Sequence, residues 1–533
     1  MASMAPATAA QWAQGAQLFE QLGSFHRKTT TSSEQAQAYF DQGMRLLWAF
    51  NHDESTRSFA KAAELDRSCA LCWWGLALTV GPNYNVPFMA QVRAKVAWEA
   101  LQQAQKAAPQ AAPVEQALIA ALSKRYQAPQ PPDPANEGPV LTAYADAMRE
   151  VAGKYPDDLD VQVLFAEAMM NTHAWKLWTL DGQPAPGTPQ IQATLESVLQ
   201  REPLHPGANH YYIHTMEASP HPELALASAE RVRTMMPAAG HLVHMPAHIL
   251  QRVGRYADAA AANRAAAEAD RVYLGKTQPL DYYGMYVAHN YQFLAYSTAM
   301  EGRRADTLDS VKHLRDAMPD ELLLAMPGAD WYVTEQYAAL DRFGLWDQIL
   351  AAPVPNSKLT GLTAGYLYAK ASALAEKGRP EDAKTVLAQL EKLAMATPAD
   401  APAGLNTAKD VLVVATLTAK ARIARAEHKT GEAIAAFEQA VAKEDRLAYD
   451  EPADWFIPVR HLLGAELLTA GRAKEAEAVY RDDLRRHPGN GWALYGLAQA
   501  LKAQKREPDA ARVQAQFRRA WENADVALTA SAF

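Results

Sequence analysis

The sequence has little of what marks several common classes of protein. Its 533 residues include only two cysteines, which excludes a disulfide-rich secreted scaffold. Lysine and arginine together number 52 against 60 aspartates and glutamates, and the net charge is −8. Since no basic excess is available to neutralise phosphates, we expect no nucleic-acid partner.

Long apolar runs and several well-known catalytic motifs are missing as well. No stretch reaches the roughly 20 apolar residues that a membrane helix needs, so we expect no membrane span. The chain has no glycine-rich phosphate loop, no nucleophile elbow and no serine, histidine and aspartate in the order typical of hydrolases. The sequence therefore does not indicate phosphoryl transfer on such a loop or serine-based hydrolysis.

The sequence as written also begins without an export signal. Residues 1–10 contain neither a basic segment nor an apolar one. However, Met1-Ala-Ser-Met4 resembles a vector-derived start ahead of small residues, as if a signal had been removed. We expect a periplasmic or secreted protein, and a cytoplasmic one is the alternative.

The two cysteines, Cys69 and Cys72, form a C-x2-C pair. This spacing suits a local disulfide in an oxidising compartment, or a redox or metal pair in the cytosol. Two small buried residues at the start of a helix are a third interpretation. A zinc knuckle would need a second cysteine or histidine pair nearby, which the sequence does not offer.

What the chain does contain is a repeated helical pattern. Gly464, Ala476, Tyr480 and Pro488 resemble positions 8, 20, 24 and 32 of the tetratricopeptide consensus, and Ala510 follows Ala476 by one period of 34 residues. A turn of the form Gly-Arg-x3-small recurs at Gly254, Gly302 and Gly378, with a looser version at Lys429-Thr-Gly-Glu-Ala433. Repeats of this kind span most of the chain.

A second resemblance lies near the N-terminus. It rests on Phe50-Asn-His-Asp-Glu54, Cys69-x2-Cys72-Trp-Trp-Gly75 and Gly81-Pro-Asn-Tyr-Asn85. This block looks like the signature of a group of bacterial tetratricopeptide proteins with no assigned reaction. The resemblance covers roughly the first hundred residues and implies a bacterial origin, often with export. It names no activity, and we interpret the segment around His52 as structural.

These patterns predict an all-α fold, an α-solenoid of tetratricopeptide-type helix pairs that form a superhelix. Residues 1–34 are expected to be an N-terminal extension and residues 35–205 the N-terminal repeats. Residues 206–350 would carry the central repeats, and residues 351–533 the C-terminal ones. Proline-rich segments at 129–139, 183–189, 353–355 and 397–402 are predicted loops, because proline disfavours a helix interior.

Eight of the 15 histidines fall between His205 and His289. Within that window His210-x3-His214 is repeated as His244-x3-His248, 34 positions later, which is the repeat period. Histidines at i and i+4 share one face of a helix. Two stacked helices of this kind would bring four imidazoles together.

The repeat frame places more side chains beside these pairs. Positions 2, 5, 9 and 12 of the first helix of such a repeat face the concave groove. In this chain they hold His210, His214 and Glu217, then His241, His244 and His248, then His289. Six imidazoles and one carboxylate suit a cation better than a peptide, so we predict a metal site. A peptide or small-molecule groove without metal, and a satisfied polar interior, are the alternatives.

Six histidines and a carboxylate are too many for one closed tetrahedral zinc, so we expect two ions. Histidines from helical H-x3-H pairs are similar in number and spacing to the dicopper site of tyrosinases and haemocyanins, although the fold differs. Copper is favoured because nearly all ligands are imidazoles, with zinc, iron and manganese as alternatives. Glu217 is expected to be a further ligand or the general base.

We therefore predict a metal-dependent enzyme acting on a small molecule in the groove, with oxidation by O2 favoured over hydrolysis. A scaffold that binds a protein partner, and a metal-binding protein without turnover, are the alternatives. Pro246 adds a local expectation. It should kink its helix or be the first residue of a shortened one.

Overall fold

The computed structural model describes residues 5–87, 89–277 and 283–533, without the side chains of residues 134–136. The chain divides into two compact units. The first comprises residues 1–249 and 265–283, and the second residues 250–264 and 284–533. Two helices, Pro246–Arg252 and Tyr256–Leu274, have residues in both units, and a third, Tyr283–Met300, has its first residue in the first unit.

The first unit is built of helices joined by short turns and loops. They are α1 (Ala9–Ala13), α2 (Glu34–Trp48), α3 (His52–Leu65), α4 (Ala70–Thr79), α5 (Gln91–Ala107), α6 (Pro113–Leu122), α7 (Pro134–Lys154), α8 (Leu159–Met170), α9 (Thr188–Arg201), α10 (Pro206–Met216), α11 (Leu226–Met235), α12 (Gly240–His244), α13 (Pro246–Arg252) and α14 (Tyr256–Leu274). Short 3-10 turns lie at Ala108–Gln110, Asn171–His173 and Pro222–Ala225.

The second unit is helical in the same way. Its helices are α15 (Tyr283–Met300), α16 (Arg304–Ala317), α17 (Asp320–Ala325), α18 (Glu335–Arg342), α19 (Trp346–Ala351), α20 (Thr360–Glu376), α21 (Pro380–Ala396), α22 (Ala408–Ala426), α23 (Thr430–Glu444), α24 (Val459–Thr469), α25 (Ala473–Arg486), α26 (Gly491–Ala503) and α27 (Glu507–Ala520), with a 3-10 turn at Ala329–Thr334. Two short antiparallel strands, β1 (Pro402–Ala403) and β2 (Asn406–Thr407), pair Pro402 with Thr407.

Consecutive helices pack as tetratricopeptide-type pairs, which confirms the predicted all-α fold class. The Tyr480 ring on α25 fills the space where Gly464 on α24 and Gly496 on α26 lack a side chain. A Cβ atom at these glycines would lie 2.4 Å and 2.2 Å from the Tyr480 ring. Small residues at the helix contacts therefore let three successive helices approach closely around one aromatic ring.

The first unit uses the same device. The ring of Phe59 on α3 fits between Gly43 on α2 and Gly75 on α4, where a Cβ atom would come within 2.7 Å and 2.5 Å of it. Beside this contact, Cys69 and Cys72 form a disulfide with Cα atoms 5.3 Å apart, and both are buried at the start of α4. Of the interpretations that the sequence allows for this pair, the structure thus shows the disulfide.

Each tight turn between paired helices needs a residue in the left-handed region of backbone space. Gly254, Gly302 and Gly378 supply it with φ values of 79°, 70° and 70°, as the Gly-Arg pattern predicts. In the looser turn before α23 the left-handed residue is His428, with φ of 61°, while Gly431 lies within the helix. The turn geometry therefore persists without its usual glycine.

One local expectation needs correction. The proline-rich segment 129–139 was predicted to be a loop, yet α7 begins at Pro134, where a missing N–H forfeits no helical hydrogen bond, and continues through Pro139, which gives up one. The segment 397–402 is a loop as predicted, apart from Pro402 at its end, which belongs to the short strand β1. Among the described residues, no helix is long and apolar enough to cross a membrane. The division into three repeat segments stays a prediction.

Candidate metal centre

Helix α10 presents the first histidine pair. His205 caps its N-terminus by accepting a hydrogen bond from Ala208 N at 3.1 Å, and Pro206 takes the first helical position, where a missing N–H costs nothing. His210 and His214 follow one turn apart on the same face. Both side chains are buried, and Glu217 comes directly after the helix.

The second pair stands on a broken helix. The short helix α12 carries His241 and His244, and α13 begins at Pro246 and carries His248. Because proline has no N–H to donate, the backbone bonding of α12 ends at Met245 and a new helix starts. Of the two expectations for Pro246, the structure therefore shows the first residue of a shortened helix.

Three imidazoles, two from α10 and one from α12, meet inside the first unit. Each of His210, His214 and His241 offers a ring nitrogen that lies within 4.8 Å of the other two. The ring centres of His210 lie 4.9 Å from His214 and 5.1 Å from His241. None of the three residues is more than 4% exposed. The three histidines that were predicted to face the groove thus form a buried cluster.

The orientation of His210 is fixed by the backbone. Its Nδ1 lies 2.6 Å from the carbonyl oxygen of Trp48. Since a carbonyl can only accept, Nδ1 carries the hydrogen, and the neutral ring then has its lone pair on Nε2. Within the described part of the chain, His210 Nε2 is buried and has no hydrogen-bond partner.

His214 is oriented in the same way by Glu217. Its Nδ1 lies 3.1 Å from Glu217 Oε1, and its Nε2 is buried with no hydrogen-bond partner among the residues that the structure describes. The other oxygen, Glu217 Oε2, lies 3.1 Å from His248 Nδ1. Burial would raise the pKa of Glu217, but the two imidazoles lower it to about 2. One ionised carboxylate therefore accepts from His214 Nδ1–H and lies at ion-pair distance from His248 Nδ1.

His248 and His244 face each other through their remaining nitrogens. Their Nε2 atoms lie 2.9 Å apart, and their ring centres 4.7 Å apart. His214 joins this pair to the three-histidine cluster, with 5.8 Å between its ring centre and that of His248. These five imidazoles, all in the first unit, form one continuous group.

Burial favours the neutral form of two histidines of the cluster. It lowers the pKa of His210 well below its usual value, and the neighbouring His214 adds to the effect. Burial likewise lowers the pKa of His241, helped by His210 and His244. Neutral rings keep the lone pairs that a metal ligand requires. The electrostatics therefore suit a cation at this place.

Phe50 is the main site residue that the sequence analysis missed. It occupies the left-handed position of the turn between α2 and α3, with φ of 53°, where a residue with a side chain is strained by about 1–2 kcal/mol. Its buried ring lies 4.5 Å from the ring of His210 and stacks on His214 and His241 at 5.6 Å and 5.8 Å. The signal was an aromatic residue where the repeat usually has glycine.

Three further residues close around the cluster. The rings of Tyr84 and Trp175 lie 5.3 Å and 5.8 Å from His214, and Asn85 Nδ2 lies 3.5 Å from His241 Nε2. Trp175 also has a left-handed backbone, with φ of 60°. The motif Gly81-Pro-Asn-Tyr-Asn85 was noted in the sequence without a role. It contributes part of the wall.

His289, the sixth predicted ligand, lies on α15 in the second unit and is partly buried. Its role as a ligand stays a prediction. The structure brings the other predicted residues, five histidines and Glu217, into one group. Their contacts place Glu217 behind the imidazoles, at Nδ1, which is the usual position of a carboxylate that orients a metal-binding histidine.

Comparisons with known proteins assign no function to this chain. No model of a protein family and no curated protein matches the chain. The human IFIT1 dimer with m7Gppp-AAAA is 12% identical, with a TM-score of 0.32 over 92% of this chain and 90% of that chain. Yeast Tom70 is 11% identical, with a TM-score of 0.34 over 91% of this chain and 96% of that chain. Likenesses this low carry no argument about the site.

Proposed function

We propose that this chain binds a transition metal through His210 Nε2, His214 Nε2 and a ring nitrogen of His241. One observation carries the proposal. In the described part of the chain, two buried imidazole nitrogens, His210 Nε2 and His214 Nε2, have no protein partner although their Nδ1 atoms are held in place. A buried polar atom without a partner costs about 1–3 kcal/mol, and a coordinated ion would remove that cost.

The second pair supports a second ion. His244 and His248 direct their Nε2 atoms toward each other, and Glu217 holds His248 from behind. They would supply two ligands. Copper is the favoured metal, because the donors that converge are imidazoles while the carboxylate is engaged elsewhere. Zinc suits three imidazoles also, whereas manganese favours oxygen ligands.

For the reaction we propose oxidation of a small molecule with O2. A bound copper pair would supply electrons to O2, whereas bound zinc would lower the pKa of water for hydrolysis. The protein's own contribution is orientation and exclusion of water. Glu217 and the Trp48 carbonyl hold the ring tautomers, and the rings of Phe50 and Tyr84 cover the imidazoles. Glu217 as general base is less favoured, since both of its oxygens contact imidazoles.

The test is metal content of the full chain purified without chelator. We expect at least one metal ion per chain by elemental analysis, and loss of most of it in His214→Ala. The matched control is His205→Asn. His205 is a buried histidine that makes hydrogen bonds through both ring nitrogens, and the asparagine that replaces it can still cap the helix. Circular dichroism of both variants should match the wild type.

A protein that holds no metal after reconstitution with Cu(II) or Zn(II) would overturn the proposal. Two coppers with no electron paramagnetic resonance signal would favour the coupled pair. Metal without any turnover of O2 or of ester substrates would point to storage or delivery of metal instead.

A protein-binding scaffold is the second candidate. The helix-pair fold favours it, as do exposed large apolar side chains on the second unit, among them Leu324, Val354 and Met395. This candidate predicts a partner whose binding survives both chelator and His214→Ala. The expected location in the periplasm or outside the cell stays a proposal, which the Cys69–Cys72 disulfide supports.

A further inference from the structure

An extended segment of the chain lies across the second unit after the helix α27. Residues 521–533, here called the strap, contain turns and bends but no helix or strand. The contacts of the strap reach from Gly302, in the turn before α16, to Trp492 on α26. A segment that touches helices this far apart in sequence runs across the helix stack, which is how an extended peptide binds a helical repeat protein.

The carboxylate of Asp525 holds one part of the strap. Arg304 N donates to its Oδ1 at 2.6 Å, and Ala305 N donates to its Oδ2 at 2.9 Å, at the start of α16. The N–H of Asp525 donates to the carbonyl oxygen of Gly302 at 3.2 Å. Because the N–H groups in the first turn of a helix have no partner within the helix and favour an anion, this position selects an acidic residue.

A buried serine holds the strap further along. Ser531 is only 1% exposed. Its Oγ donates to the carbonyl oxygen of His461 at 2.8 Å and lies 2.6 Å from the hydroxyl oxygen of Tyr480. Since the serine hydrogen goes to the carbonyl, the Tyr480 hydroxyl donates to Ser531. This position therefore selects a short side chain with a hydroxyl group.

Phe533 makes the third set of contacts. Its ring centre lies 5.8 Å from that of Trp492, and the ring packs on an apolar cluster that includes Trp492 and Phe343. Arg422, which is buried on α22, donates from Nη1 to the main-chain oxygen of Phe533 at 3.1 Å. The aromatic surface beneath this position selects an aromatic side chain.

The strap is held at few points and lies near the surface. Of its residues only Ser531 is buried, and the others are partly or fully exposed. Each hydrogen bond to the strap replaces one that water would make, so its net contribution to docking is small. A peptide that makes the same contacts can therefore compete with the strap.

We propose that the strap is an intramolecular ligand of the second unit, and that a protein partner binds this unit by displacing it. The partner presents an extended segment of the pattern acidic-x5-hydroxyl-x-aromatic, as Asp525, Ser531 and Phe533 do in the strap. The strap keeps the surface covered until such a segment is present. This site gives the scaffold candidate a location on the molecule, and it does not depend on metal.

The probe is a fluorescent peptide with the sequence of residues 521–533, and its binding to the full chain is measured by fluorescence anisotropy in the presence of chelator. Asp525→Lys together with Ser531→Arg should release the strap, because a cation then faces a helix N-terminus and a long side chain does not fit the buried site. We expect the peptide to bind this released variant at least tenfold more tightly than the wild type, whose own strap competes at high effective concentration. The matched control is Asn523→Lys with Thr529→Arg. It adds the same charges at exposed positions of the strap and should bind the peptide as the wild type does.

Changes in the peptide test the chemistry of the partner. Asp525→Lys in the peptide, or Ser531→Ala with Phe533→Ala in the peptide, should weaken binding to the released variant at least tenfold. If circular dichroism shows that the released variant does not fold, two milder changes in the full chain take its place. Asp525→Asn and Ser531→Ala, made one at a time, should each tighten binding of the unaltered peptide at least threefold.

Equal affinity of the peptide for the released variant and the wild type would overturn the proposal, as would equal affinity of the unaltered and altered peptides. A wild-type dimer that the released variant no longer forms would place the strap on a second copy of the chain, which would also overturn it. A protein partner that binds the released variant no more tightly than the wild type would leave the scaffold candidate standing and would overturn this site alone.

Discussion

Glu217→Gln is the change that tests the candidate metal centre most directly. One carboxylate oxygen accepts from His214 Nδ1, and the other lies at ion-pair distance from His248 Nδ1, each at 3.1 Å. Glutamine keeps nearly the same shape but has one acceptor oxygen, and its amide nitrogen can only donate. One of the two imidazoles therefore loses its acceptor and is free to rotate or to change tautomer.

The size of the effect can be estimated in two ways. A hydrogen bond to a charged group contributes about 1.5–3 kcal/mol. Loss of a partner behind a metal ligand typically weakens metal binding about 10–100-fold, which corresponds to about 1.4–2.8 kcal/mol. The two estimates agree. We expect Glu217→Gln to bind its first metal ion at least tenfold more weakly than the wild type.

The assay is competition for Cu(II) or Zn(II) against a chromophoric chelator, with the full chain at neutral pH. Glu196→Gln is the matched control. Glu196 lies on α9 outside the cluster and accepts a hydrogen bond at 2.7 Å from Tyr212, which is on α10 with His210 and His214. It should bind metal as the wild type does. Helical circular dichroism without metal should be the same for all three proteins.

Equal metal affinity of Glu217→Gln and the wild type would refute the reasoning, since it would mean that the carboxylate does not orient the ligands. A loss of affinity much greater than 100-fold would instead indicate that Glu217 is itself a ligand. The competition assay therefore distinguishes the two roles that the sequence allows for this residue.

Two further predictions concern the second unit. Gly302→Ala should lower the free energy of unfolding by about 3 kcal/mol, because its Cβ would lie 2.1 Å from the Trp521 ring, whereas Gly378→Ala, with open space around it, should cost only about 1 kcal/mol of backbone strain; urea unfolding compares them. Burial lowers the pKa of His461 to about 4, whereas it is about 6.5 in the unfolded chain. Below pH 6.5 the unfolded chain therefore binds a proton that the folded protein does not, and the free energy of unfolding falls by up to about 3 kcal/mol between pH 6.5 and pH 4. His461→Asn should flatten that part of the pH profile, and an unchanged slope would contradict this.

Much of the fold follows from local pattern. The small Gly464 and the aromatic Tyr480 predict a close helix pair, which the structure confirms, and the structure adds Gly496 on the next helix. The limits of sequence reasoning appear at Pro139, where a proline-rich stretch turns out to include the start of a helix. A proline at the first position of a helix, such as Pro134, and a proline in a loop look alike in sequence, because neither position requires the N–H; Pro139 further along does give up a helical hydrogen bond, which the rest of α7 tolerates.

The sequence could predict which histidines come together in the candidate site, but not which atoms contact each other there. The period of 34 residues brings His210, His214, His244 and His248 together, as expected for equivalent faces of successive helices. It could not indicate that Glu217 contacts two Nδ1 atoms. Nor could it indicate the part of Phe50, which lies in a turn distant in sequence, contacts the ring of His210 and stacks on those of His214 and His241.

By itself the sequence determined the helical period, the paired helices and the set of histidines on one face, because these depend on spacing along the chain. Only the tertiary structure decided which nitrogen of His210 and of His214 is held and which, among the described residues, has no hydrogen-bond partner. His210 Nδ1 bonds to the Trp48 carbonyl, 162 residues away in sequence. Such a contact exists only after distant helices have packed, so no local pattern contains it.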